Sequence, residues 1–402
     1  ARLGHPEIAA VNVLVPEFFA ALERLLAATR PADLASYLAW HLLDAAAPAL
    51  GQAFVEESFQ FRAHALTGEA RLLPRWKRCL AAVDRGMGQA LGRPFVDATF
   101  GAGGKARAEE LVTRIEAAFA AGLDGLGWMD APTRAQALDK LHLVANQIGY
   151  PARWRSYDAL AIGRRSDLEN RMNAAAFEMA RDLGKIGKPV DRGDWDMSPQ
   201  TVNAYYDPAK NEMVFPAGIL QPPFFDRRAP AALDDGGIGV IMGHELTHGF
   251  DDQGRKFDGH GDLRDWWTPA VARAFDQRVS CVIAQFDAYP VPGGHVDGRL
   301  TAGENIADLG GLRLAYQVFH ARPAAAAPAD GLSADQRFFI AFAQAWCTNR
   351  REAYARMLAA VDPHAPPEDR VDGPLSNLEE FQRAFACPAG APMAPARRCR
   401  VW

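Results

Sequence analysis

Apolar residues recur at helical spacing through most of the first 160 positions. Between Lys105 and Leu123, the residues Leu111, Ile115, Ala118, Phe119 and Gly122 share one face. Asp130-Ala-Pro-Thr133 opens another helix. Asp130 is a candidate cap and Pro132 is tolerated in a first turn, with Ala135, Leu138, Leu141 and Leu143 expected on the inward face. The stretch from Ile8 to Leu26 is apolar but broken by Glu17, Glu23 and Arg24, which predicts an amphipathic helix. It lacks the basic start and cleavage pattern of an export signal, so the chain is expected to begin inside or after a processed region.

The texture changes beyond about Ile162. Asp167 to Leu183 reads as a helix and Gly184 to Gly193 as a loop. Val202 to Tyr206 and Glu212 to Phe215 are short extended segments around the turn Asp207-Pro-Ala-Lys-Asn211, the pattern of a hairpin or edge strand. Ala321 to Pro328 and Pro388 to Pro395 are Pro/Ala-rich and predict a surface loop and a tail. Two regions follow: a helical lobe over 1–160 without a catalytic cluster, which could wall a site formed elsewhere, and a mixed region over 161–402 that carries the chemistry.

With 402 residues, 49% of them apolar, the chain is long enough for a large core and more than one domain. A net charge of -5 without basic runs gives no footprint for nucleic acid or an anionic membrane. No apolar stretch approaches the roughly 20 residues that span a bilayer. Cys79, Cys281, Cys347, Cys387 and Cys399 form no C-x-x-C pair, which argues against a cysteine zinc site. They read as buried thiols or as disulfides of an exported protein, and the odd count leaves at least one without a partner in the chain.

The strongest chemical signal is His244-Glu245-Leu246-Thr247-His248, after the apolar run Ile238 to Met242. Two histidines one helical turn apart can reach a single ion, and Glu245 beside them can take a proton from a water. A hydrolytic zinc site needs three protein ligands and an open position. Gly303-Glu-Asn-Ile-Ala-Asp308 supplies Glu304 as the third ligand. Asp308, one turn on, would accept the second N–H of one liganding histidine, and Asp251 that of the other. Two histidines and one carboxylate also suit a non-haem iron oxygenase, but such a site has no need of a carboxylate between the histidines. A third class, a binding protein that keeps the fold without cutting, is disfavoured by the full set of catalytic residue types.

Asn203-Ala-Tyr-Tyr206, Phe215-Pro-Ala-Gly-Ile-Leu-Gln-Pro-Pro-Phe-Phe225, Gly243-His-Glu-Leu-Thr-His-Gly-Phe-Asp251, Gly303 to Gly311 and the terminal Cys399-Arg-Val-Trp402 together resemble the neprilysin and endothelin-converting-enzyme family of zinc peptidases (gluzincins), including its bacterial members. The likeness is weak up to about residue 160 and strong thereafter. It implies a mainly α (α+β), two-lobed zincin: a thermolysin-like catalytic lobe with a small β-sheet, plus a helical lobe. It also implies one zinc ion per chain and an endopeptidase that cuts oligopeptides on the amino side of bulky apolar residues. Asn203 and the Ala204 backbone match the pair that hydrogen-bonds the substrate main chain. His364 matches the oxyanion-stabilising histidine and Arg370 the arginine that grips a substrate carbonyl. Ile219, Phe224, Val240, Ile241 and Trp346 match the pocket for the residue after the cut. Cys281 and Cys399 match a bridged pair, whereas Cys79, Cys347 and Cys387 match cysteines whose partners lie upstream. The resemblance therefore implies an N-terminal companion segment or chain. It further implies an extracytoplasmic protein, periplasmic or secreted, soluble or anchored through that upstream region.

Overall fold

The computed structural model describes residues 8, 11, 13, 15–322 and 331–402, and the picture is mainly helical with a small sheet. The central buried element is the helix Gly101–Asp124. Its Ala108, Leu111, Ile115, Phe119 and Leu123 recur every third or fourth residue and, with Val112 beside them, are all buried, a stripe that faces the core along the helix. The expected helix after Asp130 runs Ala131–His142, and Asp130 accepts from Thr133 N at 3.0 Å as its cap. Its inward face is rotated from the expected one: Thr133, Ala137, Lys140 and Leu141 are buried, while Ala135 and Leu143 are exposed. A fully buried lysine displaced the expected leucine.

The opening helix spans Pro16–Ala28 and is followed by Pro31–Ala46; neither buries a residue. Most of residues 8–14, the expected start of the helix, lie outside the described residues. The same holds for most of the Pro/Ala-rich stretch near Ala321. Asp167–Leu183 is helical as expected, capped by Ser166. No helix among the described residues is long and apolar enough to cross a membrane.

The hairpin forms between β2 (Tyr205–Asp207) and β3 (Glu212–Pro216), which pair antiparallel. A third strand, β1 (Ala145–Gly149), pairs parallel to β3 and was not legible, because Asn146 and Gln147 broke the apolar pattern. The order β1-β3-β2 leaves β3 central and wholly buried and β2 at the edge. One apolar cluster links Val96 to Ile148 with Ala204 to Leu378, so helix Gly101–Asp124 and the sheet share a core. A second cluster joins helix Pro269–Phe286 to the chain end at Cys399 and Val401. There Cys281 and Cys399 are bridged as the resemblance implied, across 118 residues. Cys79, Cys347 and Cys387 are free, the first two exposed.

Candidate metal centre

Two helices build the centre. The first, Val240–His248, continues from a wide turn at Asp235–Gly239 and is buried along almost its whole length. The second is Ala302–His320. They cross with backbones in contact: a methyl group on Gly243 would lie 2.8 Å from Gly311 Cα, and one on Gly311 2.5 Å from Val240 O. Only glycine at both positions permits that approach, and it is what brings Glu304 up to the histidines.

His244 Nε2 and His248 Nε2 lie 2.9 Å apart, and Glu304 oxygens lie 3.2 and 3.6 Å from them. Atoms of His244, Glu245 and His248 also fall within 4.8 Å of one another. Glu245 is therefore close enough to touch the centre, but it lies on the helix between the histidines, whereas Glu304 approaches from the facing helix. Each imidazole is held from behind. Asp308 lies 2.8 Å from His244 Nδ1, and Asp251 accepts from His248 Nδ1 at 2.7 Å. A carboxylate can only accept, so each imidazole, when neutral, favours the tautomer with its proton on Nδ1, which turns the Nε2 lone pair on the shared point.

That arrangement fits a cation and little else. Two imidazole nitrogens and a carboxylate converge there, and the centre gathers four carboxylates (Glu245, Asp251, Glu304, Asp308) against one guanidinium, Arg370, which pairs with Glu304 and Asp308. Zinc–ligand bonds near 2.0–2.2 Å would set tetrahedral ligand atoms about 3.3–3.5 Å apart, close to the separations seen. The surrounding carboxylates favour positive charge at this point, whether on an imidazole or on an ion. Burial pulls His248 down, yet Asp251 and Glu304 carry it well above the usual imidazole range. Burial opposes ionisation of Glu304, but the two imidazoles hold its carboxyl far below the usual range. Glu245 moves the other way: burial raises it, with His244 and His248 opposing.

The remaining predicted residues surround the same cleft of about 750 Å³. His364 places Nε2 3.3 Å from Glu304 and is held through Nδ1 by Asp362 at 2.7 Å. Arg370, buried, donates from Nε and Nη2 to Asp308 at 2.7 and 2.8 Å and stacks over Trp346 at 3.9 Å. Its fork is thus already engaged with the carboxylate behind His244, a contact the sequence did not suggest. Ile219, Phe224, Val240, Ile241 and Trp346 form the apolar wall. Asn203 is exposed on the cleft rim and Ala204 buried; both precede β2, so the edge strand begins later than Val202. Lys140 is the buried group the motif reading missed. Nothing but its place in the inward stripe of its helix could have pointed to it.

Two models of peptidase family M13 match the chain, over residues 203–401 and 3–151. It is 40% identical over 403 residues to endothelin-converting enzyme 1 of Rattus norvegicus, which covers 96% of this chain and 52% of that protein. An endothelin-converting enzyme homolog of Locusta migratoria is also 40% identical, over 92% of this chain and 52% of its own. The zinc metalloprotease Zmp1 of Mycobacterium tuberculosis, solved with an inhibitor, superposes with a TM-score of 0.92 at 42% identity, over 96% of this chain and 60% of that one. The chain spans about half the length of the curated relatives it matches.

Proposed function

Because the chain belongs to peptidase family M13, we propose that it is the catalytic portion of a zinc-dependent endopeptidase cutting oligopeptides on the amino side of bulky apolar residues. The observation that carries this reading is the meeting of Glu304 with the two Nε2 lone pairs, with Glu245 alongside, at the floor of an apolar-walled cleft. His244, His248 and Glu304 would hold one zinc ion. Bound there, zinc would polarise the scissile carbonyl and lower the pKa of a water toward about 7.

The chain's own residues do the rest. Glu245, buried and raised in proton affinity, takes the proton of the attacking water and returns it to the leaving amine. His364, steered by Asp362, donates to the developing oxyanion. Arg370 keeps Asp308 in place with Nε and Nη2 and offers Nη1 to a substrate carbonyl. An extended peptide would run along the open edge of β2, read through its main chain by Asn203 and Ala204. Ile219, Phe224, Val240, Ile241 and Trp346 would receive the side chain after the cut.

The division into a helical lobe over 1–160 and a zincin lobe over 161–402 belongs to the same proposal. So does a companion segment, since the chain spans about half of its relatives' length. That segment would cover the solvent-facing Phe18, Trp40 and Leu42 and pair with Cys79, Cys347 and Cys387. The Cys281–Cys399 bridge supports an extracytoplasmic location. A fluorogenic peptide with an internal bulky apolar residue, assayed with and without chelator and with metal analysis, tests the activity. Chelator-sensitive cleavage before that residue with one zinc per chain is expected. Iron in place of zinc, or peptide binding without cleavage, would overturn it. Comparing reducing and non-reducing gels of the intact protein tests the companion.

A further inference from the structure

Lys140 is 1% exposed, with its ammonium deep in the interior. It donates to three main-chain carbonyls: Gly249 at 2.6 Å, Gly254 at 2.8 Å and Phe257 at 2.8 Å. Phe250, Tyr206 and Trp266 present ring faces to it at 5.3, 5.8 and 6.0 Å. Three acceptors for three N–H donors match the ammonium form. Burial pushes Lys140 down to about 7, and Asp251 and Asp258 oppose that fall.

The three carbonyls are not scattered. Gly249 directly follows His248 at the C-terminal end of the first metal-site helix, where a cation complements the helix dipole. Gly254 and Phe257 belong to the turn that folds back beneath that end. The turn is tightly seated, since a methyl group on Gly254 would stand 1.8 Å from His248 O. It also carries Asp251, whose Oδ1 accepts from Gln253 N at 2.8 Å and Gly254 N at 2.7 Å while Oδ2 holds His248 Nδ1 at 2.7 Å. Gly254 is thus held from both sides, its carbonyl by Lys140 Nζ and its N–H by Asp251, the carboxylate that in turn holds the imidazole. The other anchor of Lys140 is the sheet: Asn211 Nδ2 donates to Lys140 O and Gly259 O, and Tyr206 Oη donates to Asn211.

We propose that Lys140 is a positioning residue for the metal centre, pinning the 249–257 turn so that Asp251 fixes the tautomer and orientation of His248 before any metal arrives. Lys140 touches neither metal ligand nor substrate. Its effect passes through backbone carbonyls, and it ties the helix Ala131–His142 to the reacting centre in the opposite part of the chain. This inference rests on the zinc-site reading above.

The test compares wild type with Lys140→Met, which keeps length and removes charge and donors, and with the milder Lys140→Gln. Zinc affinity is measured by chelator competition, alongside far-UV circular dichroism, kcat and KM, and the visible spectrum of the cobalt-loaded forms. Lys140→Met is expected to stay helical and bind zinc roughly 10- to 100-fold more weakly, with a shifted cobalt spectrum and a loss in kcat rather than KM. In the Lys140→Met background, Asp251→Ala should cost little more, because both changes act on one turn. Folded variants with wild-type zinc affinity overturn the proposal. Should neither variant fold, amide hydrogen exchange of the metal-free wild type decides: protection of 249–257 supports preorganisation, and rapid exchange there refutes it. A wild type that binds no zinc would instead sink the metal-site reading itself.

Discussion

The helix Val240–His248 and the helix Pro31–Ala46 invert the usual expectation. The first contains two histidines, a glutamate and a threonine and is buried almost throughout. The second is rich in leucine, alanine and aromatic residues and buries none of them; Leu42 is 70% exposed. What separates them is the neighbour. The polar helix lies against Gly310 and Gly311 of Ala302–His320 and beside Gly101–Asp124, and its buried polar side chains meet answering groups: Thr247 donates to Gly243 O, His248 is held by Asp251, and His244 lies beside Asp308. The apolar helix has no such surface against it among the described residues. Apolarity sets what a helix gains from being covered, and only the rest of the fold decides whether anything covers it.

The largest effect should come from the polar region. Glu245→Gln is expected to keep zinc bound and lose hydrolysis by about 10²- to 10⁴-fold, read by peptide turnover and metal analysis on one sample. Hydrolysis within a few-fold of wild type would break the view that this buried carboxylate does chemistry. Next, Ile115→Ala, on the fully buried stripe of Gly101–Asp124, should cost about 2–5 kcal/mol in denaturant unfolding. A cost below 1 kcal/mol would mean that this helix is no more committed to the core than the opening ones. Asp251→Asn should weaken zinc by roughly 10- to 100-fold, since the amide no longer offers His248 a charged acceptor. Smallest of all, Leu42→Ala should change the stability of this chain by no more than about 0.5 kcal/mol. Repeated in a protein carrying the proposed companion segment, the same substitution should approach the cost of a core truncation. An equal effect in both settings would argue that Leu42 faces solvent in either.

The reading of the centre from sequence depended on two short periodic patterns. His244 and His248, like Glu304 and Asp308, each lie one turn apart, so their shared faces follow from helical geometry alone. The Asp130 cap and the Leu111–Phe119 stripe were legible for the same reason. Strand β1 was not, because its stability comes from a parallel partner remote in the chain. The rotated face of Ala131–His142 was misread because a lysine belongs on the surface unless something inside answers its three donors, and those carbonyls come from residues 249–257.

The sequence by itself determined which residues could bind a metal, activate water and line an apolar pocket, since residue type and helical spacing are local properties. Tertiary structure alone decided that Glu304 reaches the two imidazoles, that Arg370 grips Asp308, and that Lys140 lies beneath the centre. Each of those depends on a distance between segments far apart along the chain. Such distances are set by how closely backbones can approach, here through Gly243 against Gly311, and by which buried charges find partners.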